Sequence, residues 1–231
     1  SLLAKGVDEI CLLPLFPHYA MATTGGCTAV VKKYLKGRAR LRVAPPYYRE
    51  PTLIDPLAES LDGVEEHILF SYHGLPVRHL KKTDPTGNHC MQKADCCETE
   101  SPAHATCYRF QCLETTKAIV AQAGIKKERY SVSFQSRLGR DPWLEPSTEA
   151  TLRKLPSLGK KNLAVICPAF FCDCLETLEE IEMRGRKIFM EAGGKSFRMI
   201  PCLNTSPAAF HCLETLMNRA ANWPSGGRNQ K

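Results

Sequence analysis

Short apolar runs alternate with helix-length stretches along most of this 231-residue chain. That alternation restricts the fold to parallel sheets covered by helices on both faces. The chain reads as two copies of one unit. The first copy has a strand at 9–13, a Pro-bounded loop, a helix at 25–35, a strand at 41–44 and a helix at 52–61. The second has a strand at 163–167, a loop at 168–172, a helix at 174–191, a strand at 196–200 and a helix at 207–222. The second lobe also owns an earlier half: strand 68–72, helix 108–122 and strand 130–134. The matching half of the first lobe is expected upstream of Ser1, in roughly 70–100 residues by βαβ spacing. The expectation is an α/β chain of two similar doubly wound lobes with parallel sheets, the first incomplete. It divides into 1–66 (the remaining half of the first lobe), 67–222 (the second lobe, with a Cys-rich insert at 81–112) and a polar, Gly-rich tail at 223–231, expected to be disordered.

Composition excludes several classes. Hydrophobic content is 43%, yet no apolar run approaches the ~18–20 residues of a membrane span. The net charge is +7, and the cations are scattered except at Lys32-Lys33, Arg38 to Arg42 and Lys160-Lys161, which gives no nucleic-acid-binding character. A basic face suits a ligand's carboxylates or an anionic lipid surface, so peripheral association with the inner membrane stays open for a chain placed in the cytoplasm. Twelve cysteines without a leader segment read as reduced thiols or metal ligands rather than a secreted disulfide scaffold. Oligomeric state leaves no mark on the sequence.

The chemistry concentrates at two strand ends. Strand 68–72 runs into Ser71-Tyr72-His73-Gly74-Leu75-Pro76, which puts an imidazole at a carboxyl strand end, where open α/β sheets build their sites. Strand 163–167 leads through Cys167-Pro168 to Asp173, Glu176 and Glu180. Spaced i, i+3 and i+7, these acids are expected on one helix face. An imidazole facing carboxylates suits proton movement and a hard divalent cation. Asp173-x-x-Glu176 also has the form of a capping box, so purely structural work by both residues is the competing reading.

Leu13-Pro14-Leu15-Phe16-Pro17-His18-Tyr19, Ser71-Tyr72-His73-Gly74-Leu75-Pro76, Phe134-Gln135-Ser136-Arg137, Pro142-Trp143-Leu144 and Asp173-Cys174-Leu175-Glu176-Thr177-Leu178 follow one another in order. In that order the chain resembles ferrochelatase, closest to its proteobacterial branch. The resemblance implies insertion of ferrous iron into protoporphyrin IX to form protohaem, the terminal step of haem biosynthesis. It places His73 and Glu176 as the catalytic pair that deprotonates a distorted macrocycle. It also implies that His73, Glu176 and Glu180 receive the substrate iron, and that Tyr19, Thr23, Thr24, Trp143, Gln135 and Ser136 line the porphyrin pocket. Arg184 stands where some relatives continue the acid series, and Cys174 where other branches carry a second His. Two alternatives remain: a chelatase for coproporphyrin or sirohydrochlorin, and a non-catalytic haem- or metal-sensing protein.

Five thiols crowd the insert as Cys90-x5-Cys96-Cys97-x9-Cys107-x4-Cys112. They can clamp a segment too poor in apolar residues to fold alone, and a 2Fe–2S cluster and a tetrahedral zinc are the candidates. Some ferrochelatases carry a 2Fe–2S cluster in an insert at this place, which implies Cys90, Cys96, Cys97 and Cys107 as its ligands. Tyr108 to Cys112 with Thr115-Thr116 matches relatives that lack a cluster, which leaves Cys112 outside the set; Cys96 against Cys112 stays open.

Overall fold

The computed structural model describes residues 2–225. Two parallel sheets carry the chain. In the first, β1 (Glu9–Leu12) pairs with β2 (Arg40–Val43), and the helix α1 (Gly26–Leu35) connects them, entered through a π turn at Met21–Gly25. In the second, the order is β4-β3-β5-β6, built from β3 (His67–His73), β4 (Tyr130–Gln135), β5 (Asn162–Ile166) and β6 (Ser196–Met199). Every pairing is parallel, with Phe70 opposite both Val132 and Ile166. The α/β architecture with parallel sheets is as expected.

β3 explains the layering. Ile68 through Tyr72 are buried without remainder, as a strand covered on both faces requires. Ile68, Phe70 and Tyr72 join the core under the helices α2 (Pro51–Glu59), α4 (Tyr108–Gln122) and α8 (Pro207–Asn218). Leu69 joins the other core, with Leu152 of α5 (Thr148–Lys154) and with Ile181 and Phe189. Each such side chain contributes about 1.5–3 kcal/mol by leaving water. Helix ends follow local chemistry: Ser147 caps α5 through Ala150 N at 3.3 Å, and Ser206 caps α8 through Ala209 N at 3.1 Å.

Three expectations are corrected. The stretch expected as one α-helix from 174 is α6 (Leu175–Thr177), a π segment (Leu178–Gly185) and α7 (Arg186–Glu191). The short helices α3 (Val77–Thr83) and α5 were not foreseen. Finally, the chain beyond α8 does not leave the fold at Trp223, which is buried. Trp223 O accepts from Arg42 Nη1 at 3.1 Å, and Pro224 O accepts from Val43 N at 3.3 Å, so α8 ends against the first sheet. The rest of the expected tail, 226–231, lies outside the described residues.

Candidate active site

His73 closes β3, and the next residue fixes its exit. A Cβ on Gly74 would stand 2.6 Å from Gln135 O and 3.1 Å from the Trp143 ring. Only glycine lets the chain turn there, with Gly74 N donating to Gln135 O at 2.7 Å. His73 Nδ1 lies 2.6 Å from Gly74 O. A carbonyl only accepts, so Nδ1 carries a proton, and Nε2 stands outside that bond.

Glu176 stands in the first turn of α6. The expected capping box is shifted by one residue: Cys174 is the cap, its sulfur accepting from Thr177 N, while Thr177 Oγ1 accepts from Cys174 N at 3.0 Å. Asp173 leaves the acid row. Its carboxylate accepts from Thr177 Oγ1 at 3.0 Å and Asn204 Nδ2 at 2.7 Å. Glu176 is therefore free of capping work. The Cys174 thiol, its own backbone amide and the facing charge of His73 hold its carboxyl below the usual range, against the opposing pull of burial.

Glu180, in the π segment, accepts from Ser136 N at 2.7 Å and Ser136 Oγ at 2.6 Å. Ser136 adopts a left-handed φ of 64°, a conformation uncommon outside glycine that aims both donors at one carboxylate. Gln135 donates to Glu176 O at 2.8 Å and accepts from Ser71 Oγ at 2.8 Å. Gln135 and Ser136 thus tie the acid-bearing helix to β4.

His73, Glu176 and Cys174 line a cavity of about 380 Å³, with Leu15, Phe16, Ala22, Thr23, Leu75, Phe170 and Phe171 among its other lining residues. No Lys or Arg is among them. Of the expected pocket residues, Thr23 lies on this lining. Tyr19 sets its phenol by Gly25, Thr24 is buried, and Trp143 packs over Gly74 with its Nε1 buried and unpartnered. Gln135, Ser136 and Glu180 border a second, polar cavity instead, with Glu149, Arg153 and Arg184. Arg184 pairs with Glu179 at 3.3 Å.

Phe171 and His18 also belong to the lining. His18 is 2% exposed. Its Nε2 meets Thr115 Oγ1 at 2.9 Å, and Thr115 gives its own proton to Tyr48 O at 2.8 Å. Burial takes its pKa down to about 3, so the ring is neutral. Only the preceding apolar run hinted at that burial.

The insert is a separate construction. Asp84 accepts from Thr86 N, His89 N and Cys90 N at 2.7–2.8 Å. Those amides hold its carboxyl well below the usual range against desolvation. His89 Nε2 and His104 Nε2 both donate to Cys96 O, at 2.6 and 3.1 Å. Thr106 Oγ1 donates to Thr83 O at 2.6 Å and joins the ends. Cys90, Cys96, Cys97 and Cys107 are all buried. Cys107 Sγ accepts from Phe110 N at 3.5 Å. Arg109 Nη1 reaches Cys97 Sγ at 3.4 Å. Cys112 is buried within α4. Among the described residues, no three His, Cys, Asp or Glu side chains are arranged to hold a metal ion.

The parallel sheets and the site at their carboxyl ends define a chelatase-like α/β protein. SirB from Bacillus subtilis, solved with Fe3+, superposes with a TM-score of 0.55 at 12% identity, over 95% of this chain and 75% of that one. The sirohydrochlorin chelatase SirB from B. subtilis subspecies spizizenii, in complex with cobalt, gives 0.56 at 10% identity, over 95% and 72%. These likenesses concern the fold alone. The particular family comes from sequence: the ferrochelatase family model matches residues 1–221. The chain is 47% identical to the ferrochelatase of Ectopseudomonas mendocina, over 94% of its own length and 66% of the relative's. It is 45% identical to that of Opitutus terrae, over 96% and 66%. The chain belongs to the ferrochelatase family, and it spans 66% of the length of these two curated relatives. No helix among the described residues is long and apolar enough to cross a membrane.

Proposed function

We propose that this chain carries the reaction centre of a ferrochelatase, in which ferrous iron enters protoporphyrin IX and two pyrrole protons leave. The observation that carries the reading is His73, with Nδ1 committed to Gly74 O, on the lining of the same apolar cavity as Glu176, whose carboxyl is held below its usual range. Nε2 is the proton acceptor, and Glu176 stabilises the imidazolium that forms. His73 and Glu176 receive the iron, while Glu180 stands one turn along, on the side of the polar cavity. Thr23 borders the macrocycle directly; Tyr19, Thr24 and Trp143 support that wall from behind, and Gln135 and Ser136 support the acids.

The lining favours a macrocycle with few carboxylates, because it presents no Lys or Arg to pair with them. Protoporphyrin, coproporphyrin and sirohydrochlorin assayed side by side with ferrous iron test this. The expected order of kcat/KM follows the order of increasing carboxylate content, protoporphyrin first. Turnover of sirohydrochlorin alone would assign the chain to a different chelatase.

For the insert we propose a 2Fe–2S cluster on Cys90, Cys96, Cys97 and Cys107. The donor chemistry fits in kind and number, four buried thiols in one segment as a binuclear centre with two thiolates per iron needs, although the four do not stand together as a preformed metal site. Arg109 and the positive end of α4, where Cys107 is the cap, bring positive charge to the sulfurs. When bound, the cluster supplies iron–thiolate bonds that cross-link the segment. Protein purified without oxygen is expected to contain two irons and two sulfides per chain; one zinc and no sulfide would overturn the assignment.

A further inference from the structure

The four strands of the second sheet are parallel, so their amino ends share one edge, opposite the edge that carries His73. Each strand start brings a nitrogen-bearing side chain to that edge. Arg129 precedes β4, His67 opens β3, Lys160 and Lys161 precede β5, and Lys195 precedes β6. All five line one cavity of about 370 Å³. We propose that this cavity binds a small phosphate-bearing anion from solution. The rise of β3 puts it about 20 Å from the reaction centre.

Among the described residues, no carboxylate pairs with any of the four cations. Arg129 Nη2 donates to the carbonyls of Val64 and Glu66, and Lys160 Nζ donates to Glu128 O at 3.0 Å. Carbonyls fix these two cations without neutralising them, and both keep further N–H donors. Lys161 and Lys195 are exposed, and their backbones are joined, Lys195 N donating to Lys161 O at 2.7 Å. Two acids share the lining. Glu66 is engaged by Arg198, through Nε at 2.9 Å and Nη2 at 3.0 Å, which leaves Glu65 to offset one charge. The balance is positive. Buried at the same edge, His67 meets Ser131 Oγ through Nε2 at 2.9 Å, and its Nδ1 has no partner. Asn162 Oδ1 accepts from Ser196 Oγ at 2.9 Å, so its amide donors are unspent. No apolar side chain lines the cavity, and nothing there grips a ring or an acyl chain. Donors arriving from separate strand starts match the several oxygens of a phosphate better than the planar pair of a carboxylate.

Inorganic pyrophosphate is the probe, at an ionic strength held constant with chloride. Calorimetry on the parent is expected to show saturable binding at one site, and the melting temperature is expected to rise with pyrophosphate concentration. Lys161→Gln combined with Lys195→Gln removes two exposed charges that hold no other side chain. This double variant is expected to bind at least about tenfold more weakly, the equivalent of one hydrogen bond to a charged group. Lys32→Gln combined with Lys33→Gln removes the same charge from α1 and is expected to bind as the parent does. Absence of saturable binding, or equal weakening in the two double variants, would overturn the proposal. His67 gives a second readout inside the cavity. Burial first, then Lys160 and Arg129, take its pKa down to about 4. A bound anion offsets those two cations, so the His67 midpoint followed by NMR is expected to rise with pyrophosphate. An unmoved midpoint with binding intact would place the anion elsewhere and overturn the proposal. Vesicles of phosphatidylglycerol test the other source of phosphate. Sedimentation of the parent with them through Lys161 and Lys195, without pyrophosphate binding, would make the ligand a lipid headgroup and overturn the assignment to a small anion.

Discussion

His73 and Glu176 are held by elements the sheet already fixes, whereas the segment from Asp84 to Cys107 is held by a carboxylate, two imidazoles and four thiols. At the strand ends, one glycine and one amide side chain are enough to aim two functional groups, because Leu69, Phe70 and Ile166 are buried behind them. The insert has few apolar residues to bury; its carbonyls and amides find side-chain partners, and its interior is sulfur. Precision at the first region is inherited from the core. At the second it must be cross-linked locally, since so short a loop cannot offset its own conformational entropy of about 1–2 kcal/mol per residue.

The sharpest way to break this contrast is at the strand ends, where activity and stability should separate. His73→Ala in the full-length protein is expected to lower iron insertion by about 10²–10⁴-fold with a parental melting temperature. Glu176→Gln is expected to lose activity as well. Its stability should change by less than about 1 kcal/mol, because Cys174 and Thr177, not Glu176, form the cap. A large fall in melting temperature for Glu176→Gln would return the residue to a structural role.

In the insert the two properties should fall together. Cys107→Ser removes the buried thiol that caps α4 at the end of the insert. It is expected to bleach the visible absorbance and to expose the segment 84–106 to protease. Cys112→Ser should keep the colour, because Cys112 lies within α4, past the end of the segment 84–106. Bleaching in Cys112→Ser with colour retained in Cys96→Ser would exchange those two ligands.

The contrast also governs what could be read from the sequence. Buried parallel strands are continuous apolar runs, so β3, β4 and β5 stood out within a residue or two, and with them the position of His73. The thiols of the insert were legible as a group, but their burial and the role of Asp84 depend on turns that no periodicity encodes. Within the site, the π segment replaced the expected α-helical face. Its bonds close over five residues rather than four, so the spacing i, i+3, i+7 did not describe the acids. Asp173 was lost to Asn204, which follows β6 and is 31 residues away in sequence. Ser136 needed its left-handed backbone, and His18 needed Thr115, 97 residues on. Each miss is a long-range partner overriding a local pattern.

His18 yields the smallest effect and bears on the lining of the same cavity as His73 and Glu176. Its folded pKa of about 3 lies below the ordinary ~6.5 of an unfolded histidine because burial penalises the charged ring. Between these values the unfolded chain binds a proton that the folded chain refuses. Stability is therefore intact above pH ~6.5 and declines as the pH falls toward about 3, with a slope of at most ~1.4 kcal/mol per pH unit from this residue. His67 adds a slope of the same sign: burial first, then Lys160 and Arg129, take it down to about 4. It sits at the other end of β3, bonded to Ser131. Urea midpoints of the parent and His18→Gln, followed from pH 7.5 to 4.5, check the assignment. The variant is expected to lose part of the acid slope and to keep the His67 share. Parallel curves for the two proteins would mean that His18 is already hydrated and titrating normally, and that the cavity wall at Thr115 is open to water.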